Sequence, residues 1–438
     1  MKNQKNVVFA SMFFALMMCN FFAFAQLDNL SNMSAEWMRT SARNAATDAT
    51  DIVVYNPAGL TMMRNGFHIN VGNQSLFRNP SHRYDFGIGQ GEKNFKQDGA
   101  DAFIPNVYAA YKMNQWAVYG GMFISGGGAT LNYPEGSITT DMIALQSLTA
   151  AQGAYGEAKN QHLKASSYYL TGTIGMAYQV NKYIGLAVSG RYYDAKNKTE
   201  AGMILTSSPF GLDDVPLDLK TTDNATSYGA VMNMNITANE KMNFSVRYET
   251  QAKLDFKTKQ TKDDYGVTKD GAMNRRDLPA VLAIGANIKV CNKVKMLVDY
   301  NYYFQKQADW GKSTMVTEEK SWSSLAGDAA TYAMGFQYSM TDRWMLSAGG
   351  AFSDFAYADK AAYYTRIGSF EVVQDDNYNI NCGFACKVTK NITVNAGYMH
   401  TFWQKDETVK ALNMQPMDVD VTVNNSLDAF AIGVDLNF

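Results

Sequence analysis

The last eleven residues of the chain, residues 428–438, read DAFAIGVDLNF and indicate the fold class. Every second residue of this stretch is large and apolar: Phe430, Ile432, Val434, Leu436 and Phe438. The residues between them are polar or very small. Successive side chains of a β-strand point to opposite faces, so the stretch is predicted to be a strand with one apolar face. A soluble β-sandwich edge has the same pattern, and only its recurrence along the chain separates the two folds.

The C-terminal residue closes this apolar stripe with an aromatic side chain. A full stripe that ends in this way resembles the last strand of bacterial outer-membrane β-barrels, whose terminal residue helps the barrel assembly machinery to recognise its clients. We therefore predict that Phe438 is a membrane-insertion signal and that the barrel assembly machinery is a partner. The predicted location is the outer membrane of a Gram-negative bacterium.

The same alternation recurs from residue 67 onward. It predicts fourteen strands, at 67–77, 104–113, 116–128, 167–180, 184–200, 224–238, 242–258, 276–290, 294–308, 330–340, 344–357, 377–388, 392–405 and 428–438. Six connections are tight turns rich in Asn, Asp and Lys, and they alternate with seven long ones. An even number of strands, with short turns at one end and long loops at the other, is typical of outer-membrane barrels. The predicted fold class is all-β, a 14-stranded antiparallel transmembrane β-barrel.

The composition favours strands over helices. The chain is 46% apolar, yet its mean hydropathy is -0.26, so apolar and polar residues must be finely interleaved. Proline, which cannot donate to a strand ladder, occurs only 8 times in 438 residues. The formal net charge is -2 and there is no basic run, so nucleic acid is not expected as a partner.

The N-terminus has the features of a secretory signal peptide. Lys2 and Lys5 precede a short apolar run, and the small-x-small sequence AFA stands at 23–25. Residues 1–25 are therefore predicted to be removed. No later stretch reaches the roughly 18 apolar residues of a transmembrane helix, which leaves strands as the means of crossing a membrane.

Residues 26–66 lack the barrel pattern and are rich in small side chains, as in NAATDATD at 44–51. They contain a turn in which the residue before proline is held out of the helical region: Asn56, Pro57, Ala58, Gly59 and Leu60. Such a segment, followed by fourteen strands and a terminal Phe, resembles the FadL/TodX family of outer-membrane transporters. The resemblance implies that residues 26–66 form a hatch, or plug, inside a barrel made by residues 67–438.

The resemblance also implies a function. Members of that family take up long-chain fatty acids or other hydrophobic small molecules through an extracellular groove, an inner apolar pocket and a lateral exit into outer-membrane lipid. The exit lies at an inward kink of the third strand. Here that strand carries several glycines that suit a bend: Gly120, Gly121, Gly126, Gly127 and Gly128. The alternative is that these residues are ordinary wall glycines.

The second long loop contains the predicted ligand groove. Ser137 is a helix-capping residue, and the sequence after it spaces apolar residues as in an amphipathic helix: Ile138, Met142, Ile143, Leu145 and Leu148. This apolar face is predicted either to be exposed for a lipid tail or to pack against a neighbouring loop. The fourth long loop, where the family groove is also built, is very polar at 259–264. A smaller or more polar hydrophobic ligand therefore remains an alternative to a fatty acid.

Catalysis is not expected. The four histidines, His68, His82, His162 and His400, have no recognisable nucleophile motif near them, and zinc-binding spacings and phosphate-binding loops are missing from the sequence. We therefore expect no enzyme activity, no cofactor and no metal site. Two other functions remain open. A general diffusion porin would share the barrel but would not need a plug, and a purely structural barrel is the other alternative.

Overall fold

The computed structural model of the protein describes residues 34–87, 89, 91–311, 321–360, 363, 371, 375–410 and 419–438. The predicted signal peptide and the predicted plug up to residue 33 lie outside these ranges. Within them, none of the helices is long and apolar enough to cross a membrane.

The main sheet is built from long strands joined by the predicted tight turns. Its strands are β1 (Gly66–Arg78), β4 (Asp101–Met113), β5 (Trp116–Tyr133), β6 (Glu157–Gln179), β7 (Ile184–Thr206), β8 (Val215–Asn239), β9 (Met242–Glu249), β10 (Asp255–Asp263), β11 (Met273–Arg275), β12 (Ala280–Lys289), β13 (Val294–Phe304), β14 (Ala329–Ser339), β15 (Trp344–Asp354), β16 (Asn377–Lys387), β17 (Ile392–Trp403) and β20 (Ser426–Asn437). Adjacent strands of the sheet are antiparallel and follow the order β11-β10-β8-β7-β6-β5-β4-β1-β20-β17-β16-β15-β14-β13-β12-β9.

The sheet closes on itself. β20 lies between β17 and β1, with Val434 opposite Val71, and β8 pairs with β9 to complete the ring. Because β9 and β10 form one interrupted strand and β11 and β12 form the next, the ring has fourteen strands, and the predicted fold class is confirmed. The terminal residue takes part in closure: the Phe438 N–H donates to Phe67 O at 2.8 Å. Closure removes the free edges that an open sheet would expose.

The alternation read from the sequence sorts the wall into two faces. Phe430 and Ile432 of β20 are exposed on the outside, where apolar side chains suit lipid, whereas Ala431 and Asp435 are buried on the inside. The strands differ in length: β5 to β8 have 18 to 25 residues, and β14 to β17 have 11 or 12. The four longer strands extend the wall well beyond the apolar band on the side of the long loops.

The long loops meet above the barrel in a structure that we call the cap. It contains a four-stranded sheet of β2 (Ser81–Tyr84), β3 (Lys93–Lys96), β18 (Glu407–Lys410) and β19 (Asp420–Asn424), together with helices from the second and fifth long loops. In chain order the α-helices are α1 (Ala35–Met38), α2 (Ile52–Tyr55), α3 (Ile138–Ala150) and α4 (Trp322–Ala326), and the last two belong to the cap. Tyr84, Ile138, Trp322 and Val421 share one apolar cluster, so loops from different sides of the ring pack on one another.

The predicted seventh strand is not continuous, and the prediction of a single strand over 242–258 is wrong. β9 ends at Glu249 and β10 begins at Asp255, and the register against β8 gains one residue between them. This extra residue moves the even-numbered side chains from one face to the other: Phe244 and Tyr248 are exposed outside, whereas Leu254 is buried inside. The eighth strand is also interrupted, between β11 and β12, but its register is unchanged, because Arg275 lies opposite Asp255 and Val281 lies opposite Glu249.

Candidate functional site

The N-terminal segment, residues 34–62, lies in the lumen of the barrel. It contains helix α1 (Ala35–Met38), helix α2 (Ile52–Tyr55) and a 3₁₀ helix (Pro57–Met62). Most of its side chains are buried, and those of α2 share an apolar cluster with Tyr108 and Tyr119 on the inner wall. The segment therefore fills part of the lumen.

Glycines of the wall make room for the backbone of this segment. A side-chain Cβ at Gly335 would lie 2.5 Å from Thr40 O, and one at Gly397 would lie 2.8 Å from the Met38 Cβ. On β12, a Cβ at Gly285 would lie 2.6 Å from Ala45 N. All three distances are shorter than van der Waals contact. The close approach of the segment to the wall therefore requires glycine at these positions.

Polar side chains of the wall bind the backbone of the segment. Asp299 Oδ2 accepts hydrogen bonds from the N–H groups of Arg43 at 2.6 Å and Asn44 at 2.9 Å. Asn243 Nδ2 donates to Ala45 O at 2.9 Å, and Asn381 Nδ2 donates to Met38 O at 2.8 Å. The irregular backbone of the segment thus finds partners in the wall, as buried amide groups require.

A buried charge cluster lies within the segment. Arg43 pairs with Asp51 at 2.5 Å and with Asp48 at 2.7 Å, and Ser34 Oγ donates to Asp51 Oδ2 at 2.7 Å. These contacts join the beginning of the segment to its middle. The arrangement makes this part of the lumen strongly polar.

Glu36 extends this polar region toward the wall. Its Oε1 accepts from Asn70 Nδ2 at 2.9 Å and from Asn395 Nδ2 at 2.5 Å, and both amides also donate to the carboxylate of Asp435. Burial and, after it, the Asp435 carboxylate raise the pKa of Glu36 well above its usual range. The protonated form is therefore favoured while the segment is docked.

The predicted turn lies at the end of the segment. Asn56 Nδ2 donates to Ala46 O at 2.9 Å and to Asn235 Oδ1 on the wall at 2.8 Å, and Pro57 begins the 3₁₀ helix. A Cβ at Gly59 would lie 2.5 Å from Asn56 Nδ2, which explains the glycine. The other two members of the predicted turn are fully buried: Ala58 and Leu60.

The third strand of the barrel, β5, separates from its neighbour β4. The two are paired from Met113–Trp116 up to Val107–Met122, and the described pairing stops there. Residues 123–126 are all buried, so the in–out alternation is lost. Against β6, β5 shifts register between Ile124 and Gly126 and again between Gly127 and Ala129.

The predicted glycines of this strand divide into two groups. Gly126, Gly127 and Gly128 lie at the register shifts, and Gly127 has a φ of 69°, a conformation that favours glycine. Gly120 and Gly121 lie lower, in the regularly paired part of the strand. A Cβ at Gly121 would lie 2.6 Å from the Tyr108 ring, so this residue serves inner packing.

The break between β4 and β5 has defined limits. On its far side the strands are joined again through side chains, because Asp101 Oδ2 accepts from Thr130 N at 2.9 Å. Between these limits, Tyr168 Oη on β6 donates to Phe103 O on β4 at 3.0 Å. On the opposite side of β4, which faces β1, the Ile104 N–H donates to Asn73 Oδ1 at 3.0 Å. Side chains thus replace the missing ladder of this part of the wall.

An apolar cluster leads from the break to the N-terminal segment. Ile104 and Ile124 border the break from the inside and pack in one cluster with Ala35 and Met38 of the segment. On the outside, Phe103 of β4 is exposed among the lipid-facing side chains. The break therefore has apolar surface on both sides of the wall.

The helix predicted in the second long loop is present as α3, with Ser137 as its N-cap. Its predicted groove residues do not form an exposed apolar face. Ile138 and Met142 are buried in one cap cluster, Ile143 is buried in a second, and Leu145 and Leu148 are half-buried. Of the two alternatives read from the sequence, packing against neighbouring loops is the one observed.

The cap has a polar centre that was not predicted from the sequence. Asp141 of α3 is buried, pairs with Lys93 Nζ at 2.6 Å and accepts from Gln161 Nε2 at 2.8 Å. His82 is also buried, and its Nε2 accepts from the Ile138 N–H at 3.0 Å. No sequence motif joins these residues, because they come from three separate segments of the chain.

The fold and this site define a class of protein, an outer-membrane β-barrel with a segment folded into its lumen and a break in its wall. A family model described as outer membrane protein transport protein (OMPP1/FadL/TodX) matches residues 21–438. The chain belongs to this family, and it is an outer-membrane transport protein. The family is one of transporters and not of enzymes.

Solved structures show the same fold at low sequence identity. A Pseudomonas aeruginosa FadL homologue has a TM-score of 0.65 and 13% identity, and the match covers 93% of this chain and 98% of that one. The P. putida toluene transporter TodX has a TM-score of 0.62 and 12% identity, with 89% and 94% covered. The Ralstonia pickettii toluene transporter TbuX has a TM-score of 0.57 and 13% identity, with 94% and 99% covered. No curated protein sequence matches the chain.

Proposed function

We propose that this transport protein takes up hydrophobic small molecules, with long-chain fatty acids as the first candidate, and releases them sideways through the break between β4 and β5. The observation that carries the proposal is the apolar cluster that joins this break to the N-terminal segment. The names of the structural neighbours, a FadL homologue and toluene transporters, support the same class of ligand.

The chemistry of the lumen favours the sideways route. Burying one methylene is worth about 0.8 kcal/mol, so a twelve-carbon chain loses roughly 10 kcal/mol on entering water. A straight path would lead past the N-terminal segment, where Glu36, Arg43, Asp48 and Asp51 are charged or polar. An acyl chain that moves along Ile104 and Ile124 avoids both water and these groups.

The segment acts as a hatch in this proposal. Its hydrogen bonds to Asp299, Asn243 and Asn381 hold it in place, while Met38 contributes to the apolar route. Movement of α1 would then enlarge the route at the break. Entry from outside requires the cap loops to separate, which exposes the apolar residues of α3 as the capture site.

The substitution Ile124→Asp tests this function, with Ile124→Leu as the matched control. A carboxylate at this position puts an unpaired charge into the apolar route and is expected to reduce fatty-acid uptake by cells at least about tenfold. The control conserves volume and polarity and should transport normally. Barrel folding is checked by heat-dependent electrophoretic mobility, and lipids extracted from the purified parent protein are identified by mass spectrometry.

Two results would contradict the proposal. Uptake by a folded Ile124→Asp variant at the parental rate would exclude the route past the break. A parent protein that contains no hydrophobic ligand after mild detergent purification, and binds none when fatty acid is added, would exclude the ligand class.

A further inference from the structure

The outer face of the longer strands changes from apolar to positively charged above the membrane. On β7, Leu186, Val188 and Tyr192 are exposed and apolar, and Tyr192 lies opposite Tyr228 of β8 with ring centroids 5.3 Å apart. Tyr228 is 78% exposed, the highest value among the large apolar side chains on the described wall. Tyrosines in this position are typical of the interface between the acyl chains and the headgroups of a bilayer.

Lysines occupy the outer face two rows beyond these tyrosines, with Asp194 and Thr226 in the row between. Strand register places Lys196 of β7 opposite Asn224 of β8, and Asn224 opposite Lys257 of β10. One row further out, Lys198 lies opposite Thr222, and Thr222 lies opposite Lys259. Residues that face each other across strands share one face of the sheet. All four lysines are exposed.

We call these four residues, Lys196, Lys198, Lys257 and Lys259, the lysine platform. Neighbouring strands are about 4.8 Å apart and alternate residues of a strand about 7 Å, so the platform is about 10 Å wide and 7 Å high. Its two rows contain no carboxylate, since the intervening residues are Asn224 and Thr222 and the flanking residues of β6 are Tyr168 and Ser166.

The platform lysines also differ from neighbouring lysines in their ion pairs. In the next row outward, Lys220 pairs with Glu200 at 2.8 Å, and Lys262 pairs with Asp218 at 2.5 Å. No platform lysine is within ion-pair distance of a carboxylate among the described residues. One row nearer the membrane lie Asp194 of β7 and Asp255 of β10, and Asp255 is 3.7 Å from Arg275 Nε; the four lysines still leave a net positive charge on this face, although the whole chain has a net charge of -2.

We propose that the lysine platform binds the phosphate groups of an outer-leaflet lipid, with the acyl chains of that lipid lying against Tyr192 and Tyr228. Four ammonium groups in two rows fit an anionic headgroup with two phosphates about as far apart as the platform is wide. Their position beyond the tyrosines is where headgroups lie, and basic clusters beside a bilayer attract anionic lipids. A free anion has no acyl chains that could contact the apolar surface of Tyr192 and Tyr228.

The bound lipid would also adjoin the break in the wall. Tyr168, whose hydroxyl spans the break to Phe103 O, is the cross-strand neighbour of Lys196. The proposal does not depend on transport, because it rests on the outer face alone.

The test compares two quadruple variants. In the first, all four platform lysines become glutamine: K196Q, K198Q, K257Q and K259Q. In the matched control, four exposed lysines of the tight turns at the opposite end become glutamine: K182Q, K241Q, K293Q and K390Q. Each protein is placed in discs of neutral phospholipid, after its folding has been checked by heat-dependent mobility. Binding of a diphosphorylated glucosamine-based lipid is then measured by native mass spectrometry, beside its dephosphorylated form and inorganic phosphate.

A lysine near an anionic headgroup contributes about fivefold in affinity, so the platform variant should bind the phosphorylated lipid at least about a hundredfold more weakly. The turn variant should bind it like the parent, and added salt should weaken the parent. Equal affinity of the platform variant and the parent would overturn the proposal. So would an equal loss in the turn variant, equal binding of the dephosphorylated lipid, or inorganic phosphate that binds as tightly as the lipid.

Discussion

Replacing Gly335 with alanine tests whether close packing against the wall holds the N-terminal segment in the lumen. The added Cβ would lie 2.5 Å from Thr40 O, 2.7 Å from the Thr40 Cβ and 3.2 Å from the Thr40 carbonyl carbon. All three atoms belong to the segment, and none belongs to the barrel. To restore ordinary contact distances, the segment must move away from β14 by about 1 Å.

The size of the effect follows from this overlap. Overpacking of a close contact costs typically about 1–3 kcal/mol, which raises the undocked population of the segment about 5- to 150-fold. Two readouts report it: ion conductance of the protein in planar bilayers, and amide hydrogen exchange of residues 35–62. Both are expected to increase, because an undocked segment opens the lumen and loses its bonds to Asp299 and Asn381.

Gly190→Ala is the matched control, because Gly190 is also a glycine within a strand but is exposed on the outer face, where a Cβ meets nothing within 4 Å. It should leave conductance and exchange unchanged. If Gly335→Ala has the conductance and exchange of the parent protein, the segment is not held by this contact and the reasoning fails.

Three further predictions concern groups at the two ends of the lumen and at the break. Because docking raises the pKa of Glu36, the contribution of Glu36 to docking is complete at low pH and is lost as the pH rises above about 4.5; conductance should increase over that range, and Glu36→Gln should reduce this increase, to which Asp51, whose pKa burial raises to about 6, also contributes. Burial lowers the pKa of His82, and its Nε2 must stay unprotonated to accept from the Ile138 N–H, so the cap loses stability as the pH falls below about 6.5. Hydrogen exchange of α3 measures this, and an exchange rate independent of pH, after correction for intrinsic rates, would contradict it. Tyr168→Phe removes the hydrogen bond to Phe103 O, worth about 1 kcal/mol, and should raise ligand release about fivefold; an unchanged rate would show that Tyr168 does not close the break.

The number of strands and the closure of the barrel followed from the sequence because alternation is local. Each residue of β20 has the face that its parity predicts, and the tight turns lie where Asn, Asp and Lys cluster. The same reasoning failed at residues 242–258. The apolar residues there keep even numbers throughout, so the sequence reads as one stripe. The extra residue between β9 and β10 sends the second half of that stripe inward, and only pairing with β8 shows it.

The sequence predicted those parts of the candidate site that depend on neighbouring residues, but not those that depend on distant ones. Asn56 and Pro57 mark their own turn, because proline restricts the residue before it. The glycines of β5 showed where a strand could bend but not which of them bend it. The apolar spacing of Ile138 and Met142 predicted helix α3, but a helix cannot show from its own sequence whether lipid or other loops cover it.

By itself the sequence determined which face a residue occupies along each uninterrupted strand, where the chain turns and that its last residues form a strand. Those properties depend on residues adjacent in the chain. The tertiary structure alone decided which side chains from different strands meet. Gly335 lies against Thr40, Tyr168 spans the break to Phe103, and Lys196 and Lys257 stand in one row although about sixty residues separate them. Such contacts depend on the register between strands, which is a property of the closed ring as a whole.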